Sequence, residues 1–187
     1  MQDKIFTPGG NKDYQRGGDK ADRSRGFKDW HFHAGDGMGK DGSNIPLYMI
    51  DLDCIEFGYR DGRPVPLAIL ELTRVDSADM VNDTYLNNIM DRVYARDAQG
   101  DVVLSLARML GVAAYYVLHS LDLESYWVHT LDGDWIGKAA DAEEVRKHTK
   151  RTVVQLSAED KKRRLGSWKP LTPEQMKKGL CHIHRRR

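Results

Sequence analysis

The sequence predicts a mixed α/β domain, more narrowly α+β: one mixed sheet flanked by helices, with an irregular N-terminal arm and a basic C-terminal extension. Two observations carry this. Two strand-like apolar runs come first, two runs of helical period follow, and two more strand-like runs close the central part. That order lacks the steady strand–helix alternation of a doubly wound sheet. A chain of 187 residues, 40% hydrophobic and 30% charged, is long enough for one real core plus an appendage. The expected division is an arm over 1–46, a core over 47–138 and a basic extension over 139–187.

Residues 1–46 are rich in Gly, Asp, Lys and Arg without sustained periodicity, so only short helical pieces such as 19–27 are expected there. Strands are expected at 47–58 and 65–74. A helix is expected over 83–97, with Leu86, Ile89, Met90, Val93 and Tyr94 at three-and-four spacing and Asn82 or Asp83 as N-cap. A second helix is expected over 102–110, capped by Asp101 and ended by Gly111 in the left-handed conformation. Strands at 112–119 and up to Leu131 follow, then a turn at Asp132-Gly133-Asp134. Beyond these the signal weakens to a helix near 140–149, a strand at 151–156 and a helix opened by Thr172-Pro173. Tyr115, Tyr116, Trp127 and Trp135 read as core more than as platforms for stacking bases.

Charge is uneven along the chain although the net is +1. Residues 145–187 hold 14 Lys or Arg against 3 acids, whereas residues 41–144 hold 7 against 19. Acids that hold cations beside a separate basic surface would suit a polyanionic partner; a solvated tail is the plainer alternative. No apolar run approaches the roughly 18–20 residues of a membrane span, and MQDKIFTPGG lacks a secretory pattern. Two cysteines make no disulfide framework, and an intracellular, cytoplasmic home is expected.

The hairpin from Tyr48 to Arg74 holds the chemistry. Asp51 and Asp53 interrupt its first strand and Glu71 its second, where a buried carboxylate costs several kcal/mol unless compensated. A hairpin symmetric about Gly62 pairs residues whose numbers sum to 124, setting Asp53 opposite Glu71, Ile55 opposite Ile69 and Phe57 opposite Leu67. A strict two-residue Asp61-Gly62 turn gives a sum of 123 and puts Glu71 on the other face; a bulge or longer loop restores the pair. Opposed carboxylates about 5 Å apart call for a divalent cation between them, and Mg²⁺ (or Mn²⁺) takes such ligands with waters and phosphate oxygens.

Trp30-His31, Asp51-Leu52-Asp53 and Pro64-Val65 through Glu71-Leu72-Thr73 together resemble the PD-(D/E)xK nuclease superfamily, in particular small nuclease-like proteins of phages and bacteria. The likeness spans roughly residues 28–131. It implies a restriction-endonuclease-like sheet and a Mg²⁺-dependent deoxyribonuclease with Asp53 and Glu71 as metal ligands and Asp51 as a third. The superfamily's lysine falls on Thr73, which has no charge, so a basic residue from elsewhere, a second metal, or loss of catalysis follows. His31 and His33, on one side if extended, are candidates to contact nucleic acid, as are Lys161, Lys162, Arg163 and Arg164. The alternative is a catalytically inactive nucleic-acid-binding or phage-assembly protein. A protein partner for the arm and a homo-oligomeric state stay open. Cys181-His182-Ile183-His184 lacks the second ligand pair a zinc site needs, and no phosphate loop or nucleophile elbow is present.

Overall fold

A computed structural model describes residues 30, 31, 33–45 and 52–185; the chain divides into two units, Met1–Met49 and Ile50–Arg187. Asp51 and the 19–27 stretch lie outside the described residues. In the first unit Trp30, His31 and His33 lie in a helical turn, followed by a loop closed on itself by Gly39 N–H to Ser43 O (2.8 Å) and Ile45 N–H to Gly35 O (2.8 Å). His31 and His33 are therefore not on one side of an extended segment. Two residues apart on a helix is about 200° of rotation.

The second unit is built on a five-stranded mixed sheet in the order β1-β2-β3-β4-β7. β1 (Cys54–Arg60) and β2 (Arg63–Val75) form an antiparallel hairpin. Two helices, α1 (Asp83–Asp91) and α2 (Gln99–Leu110), carry the crossover to β3 (Ala113–Ser120), which runs parallel to β2. β4 (Tyr126–Thr130) returns antiparallel to β3. A short parallel pair, β5 (Lys138–Ala139) and β6 (Val154–Gln155), brackets α3 (Ala142–His148). Then come α4 (Ala158–Leu165), β7 (Lys169–Leu171) against β4, and α5 (Pro173–Arg185). Among the described residues no helix is long and apolar enough to cross a membrane.

Both hairpin registers weighed above occur, one in each half. The turn is the strict two-residue Asp61-Gly62 pair, with positive φ at both (51° and 75°), and the outer residues pair at a sum of 123, from Arg60↔Arg63 to Phe57↔Pro66. A bulge at Leu67 then adds one residue to β2, and the inner residues pair at 124, from Glu56↔Ala68 to Cys54↔Leu70. Phe57 thus faces Pro66, not Leu67. Pro64 and Pro66 are tolerated because β2 pairs with β3 only from Ala68 onward, so neither interrupts the β2–β3 ladder.

One sheet face, with Ile69, Val75, Ala114, Tyr116 and Leu118, packs against Leu86, Ile89 and Met90 of α1 and Val103, Leu104 and Ala107 of α2. The opposite face, with Leu70, Tyr115, Val117 and Val128, is covered by Met176, Leu180 and Ile183 of α5. Helix α1 begins where expected, its Asn82 cap accepting from Tyr85 N–H, but at Arg92 it widens into a π-helical turn, Arg92–Arg96. Helix α2 begins at Gln99, three residues before expectation, so Asp101 sits in its first turn and does not cap it. Gly100 is required there: a Cβ would lie 2.5 Å from the Val93 carbonyl oxygen. Gly111 ends α2 with φ 67°, as expected.

Residues 139–185 are built into the same unit. Arg164 is wholly buried and its guanidinium donates to Asp91 Oδ1 at 2.6 Å and to Asn87 at 3.2 Å, tying α4 to α1. Asp91 also accepts the amides of Ala140 (2.9 Å) and Asp141 (3.1 Å).

Candidate functional site

Glu71 is the most conspicuous polar residue of the sheet. It lies on β2 on the helix-packed face, with 1% of its surface exposed. Strand alternation sets Ile69, Glu71, Thr73 and Val75 on that face. One residue beyond the last β1–β2 pair, the register places Asp53 opposite Glu71. The Asp53 carboxylate accepts the Leu72 amide at 2.8 Å, which fixes it at the head of the strand, and its charge bears on Glu71. The Gln99 side-chain amide donates to Glu71 Oε2 from the start of α2. Glu71 Oε1 is buried with no hydrogen-bond partner.

This arrangement is electrostatically incomplete. Burial, and then the Asp53 charge, push the Glu71 carboxyl up to about 7, against the pull of the Gln99 hydrogen bond. Near neutral pH Glu71 therefore passes between its protonated and charged forms, and a bound cation would favour the charged one. The donor set suits a hard divalent cation: two carboxylates, one of them exposed, with an unused lone pair on Oε1. Among the described residues no group of three or more His, Cys, Asp and Glu could hold a metal by itself. The ion would complete its shell with waters, substrate oxygens or Asp51, which lies outside the described residues.

Two residues along β2, the Thr73 hydroxyl shares a hydrogen bond with the Tyr116 hydroxyl on β3. Arg92, the first residue of the π-helical turn, donates from Nη2 to Tyr116 Oη at 2.7 Å and leans on Thr73 Oγ1 at 3.4 Å. A guanidinium thus stands beside Thr73. Neither Arg92 nor Gln99 is marked by any local pattern: each is one polar residue in a helical run. The crossover that carries α1 and α2 over β2 brings both to Glu71 and Thr73.

The remaining candidates lie apart from this cluster or in the other unit. Lys161, Lys162 and Arg163 are on α4; Arg163 pairs with Asp160 (3.3 Å) and covers the Trp135 ring at 4.5 Å. Arg164, enclosed against Asp91, presents no surface to a nucleic-acid backbone. His31 and His33 belong to the first unit, where His33 Nδ1 lies 3.1 Å from Asp36 Oδ2. Cys181, His182 and His184 are spread along α5, and His184 contacts Glu56 at 3.1 Å.

A second polar cluster sits in the core. His129 is flanked by Ser167 Oγ at 2.7 Å from Nδ1 and Tyr94 Oη at 2.6 Å from Nε2. Ser167 gives its proton to the Arg164 carbonyl, so Nδ1–H donates to Ser167 and Nε2 accepts from Tyr94. Burial pushes the imidazole down to about 4, so it is neutral. This network is fully bonded and enclosed, and it serves the packing of α4 and β4.

No protein-family model matches this sequence, and comparison with curated proteins and with solved structures finds no similar protein.

Proposed function

We propose that this protein is a divalent-cation-dependent nuclease of the PD-(D/E)xK kind, hydrolysing phosphodiester bonds in DNA. The single observation that carries the reading is Glu71: a buried carboxylate with one unbonded oxygen, set across a strand pair from the Asp53 carboxylate. Packing alone gives no reason to place two like charges there, and a cation between them removes both the desolvation cost and the repulsion. The topology supports a restriction-endonuclease-like fold. An Asp heads one strand, Glu-Leu-Thr follows on its antiparallel neighbour, two helices cross, and the next strand returns parallel.

In this reading Asp53 and Glu71 hold Mg²⁺ or Mn²⁺, which supplies Lewis-acid stabilisation of charge on the phosphate and a more acidic water. The Gln99 amide keeps the Glu71 carboxylate oriented through Oε2, leaving Oε1 for the ion. Tyr116 holds Thr73 in place. The exposed Lys162 and Arg163, with the half-buried Lys161, are offered to the phosphate backbone. A second reading, a nuclease scaffold that binds nucleic acid or serves phage assembly without cutting, is favoured by one observation: Thr73 stands where a lysine is expected.

The test combines turnover and metal binding. Linear, circular and branched DNA are incubated with protein in Mg²⁺, Mn²⁺ or EDTA, and melting is followed in the same buffers. Metal-dependent cleavage and a metal-dependent rise in Tm are expected, both lost in Asp53→Ala and Glu71→Ala. Intact DNA under every metal, with a gel shift that persists in EDTA, would overturn the nuclease reading and establish the silent scaffold.

A further inference from the structure

We infer that Arg92 is the cationic group that contacts the anion at this site; placing a DNA phosphodiester there rests on the nuclease reading above. Arg92 is half-buried, and its hydrogen bonds run only to neutral oxygens, Tyr116 Oη at 2.7 Å and Thr73 Oγ1 at 3.4 Å. Other arginines nearby are spoken for: Arg96 pairs with Asp97, Arg151 with Asp101, Arg163 with Asp160 and Arg164 with Asp91. Among the described residues Arg92 has no carboxylate partner, and its Nε and Nη1 protons are unused. A half-buried guanidinium whose hydrogen bonds run to neutral oxygens keeps donors in reach of solvent, and these can take the oxygens of an anion in charge-assisted hydrogen bonds.

Position supports the role. Thr73 is two residues from Glu71 on the same strand face, a step of about 6.6 Å, so Arg92 reaches the strip that carries the carboxylate pair. The other side of Arg92 lines an open groove with Asn88, Arg96 and His148 and with three acids that are already engaged: Asp91 with Arg164, Glu144 with Lys147, and Asp141 as the cap of α3. The π-helical turn is what aims it: the wider winding begins at Arg92, whose carbonyl accepts from Asp97 N–H at 2.8 Å. A cation bound by Asp53 and Glu71 on one side and Arg92 on the other would clamp a phosphate between two positive charges.

The experiment measures anisotropy of a fluorescent DNA duplex in Ca²⁺ and cleavage in Mg²⁺ for wild type, Arg92→Lys, Arg92→Gln, Arg92→Ala and the double variant Arg92→Ala/Thr73→Lys. Gln keeps a donor for Tyr116 and removes only the charge; Arg92→Lys serves if Gln fails to fold. Expected are about tenfold weaker binding and roughly 100-fold slower cleavage in Arg92→Gln, partial retention in Arg92→Lys, and recovery in the double variant. A role confined to packing Tyr116 would leave the double variant unrecovered. Unchanged binding and cleavage in Arg92→Gln, with cleavage still abolished by Glu71→Ala, overturns the Arg92 inference and spares the nuclease reading. No cleavage by wild type, with binding lost in Arg92→Gln, overturns the nuclease and keeps Arg92 as the anion contact.

Discussion

Glu71 and Asp53 show how much one pair of side chains can hold in tension. Burial raises the Glu71 carboxyl first and the Asp53 charge adds to it. Replacing Asp53 by Asn removes the second contribution while leaving an oxygen for the Leu72 amide. The Glu71 titration midpoint, followed by carboxyl-carbon NMR without metal, should then fall below its value near 7 in the parent. An unchanged midpoint would mean that burial alone sets it. The oddity of an acid inside Leu67-Ala68-Ile69-Leu70-Glu71-Leu72 was legible in the residues themselves. Its lack of a partner at Oε1 was not, because that depends on where Gln99 arrives from α2.

The short strands β5 and β7 are not expected from the sequence, and among the α-helices α4 is the one not expected. Its start signal was present: Ser157 caps the helix by accepting from Asp160 N–H at 3.0 Å, and its hydroxyl donates back to Asp160 Oδ2 at 2.9 Å. A run as basic as Lys161 to Arg164 reads as solvated, yet Arg164 turns inward to Asp91 and locks α4 onto α1. Removing one partner of such a pair leaves the other buried and unpaired. Asp91→Ala should therefore cost about 3–5 kcal/mol in urea unfolding. Arg163→Ala, which removes an exposed ion pair and a ring contact, should cost about 1 kcal/mol or less. Similar costs for the two would show that the buried pair is not what holds these helices together.

For the molecule as a whole, two buried groups set opposite pH dependences. Glu71 has its folded pKa raised from 4.5 to about 7, so its contribution is full below 4.5 and is lost as pH rises to 7. His129 has its folded pKa lowered from 6.5 to about 4, so its contribution is full above 6.5 and is lost as pH falls to 4. Between roughly pH 4.5 and 6.5 the two slopes, each about 1.4 kcal/mol per pH unit, offset one another. Metal-free stability from these groups should be nearly level there and decline above 6.5. Glu71→Gln removes one slope and exposes the other, so its stability should climb with pH over the same interval. Denaturant melts of both proteins in EDTA at half-unit steps check this; a Glu71→Gln curve parallel to the parent's would refute it.

The sequence by itself determined the mixed α/β class, the order of the central strands and helices, the caps at Asn82, Gly111 and Thr172, and the acids of the hairpin. These rest on local propensity, periodicity and turn chemistry, which act over a few residues. Only the tertiary structure decided the rest. The Leu67 bulge chose which face Glu71 occupies. The parallel crossover brought Gln99 and Arg92 to β2, and burial turned Arg164 from a surface cation into a core ion pair. The Arg92, Gln99 and Arg164 contacts depend on chain segments 19 to 73 residues apart meeting in space, and no short-range pattern encodes such a meeting.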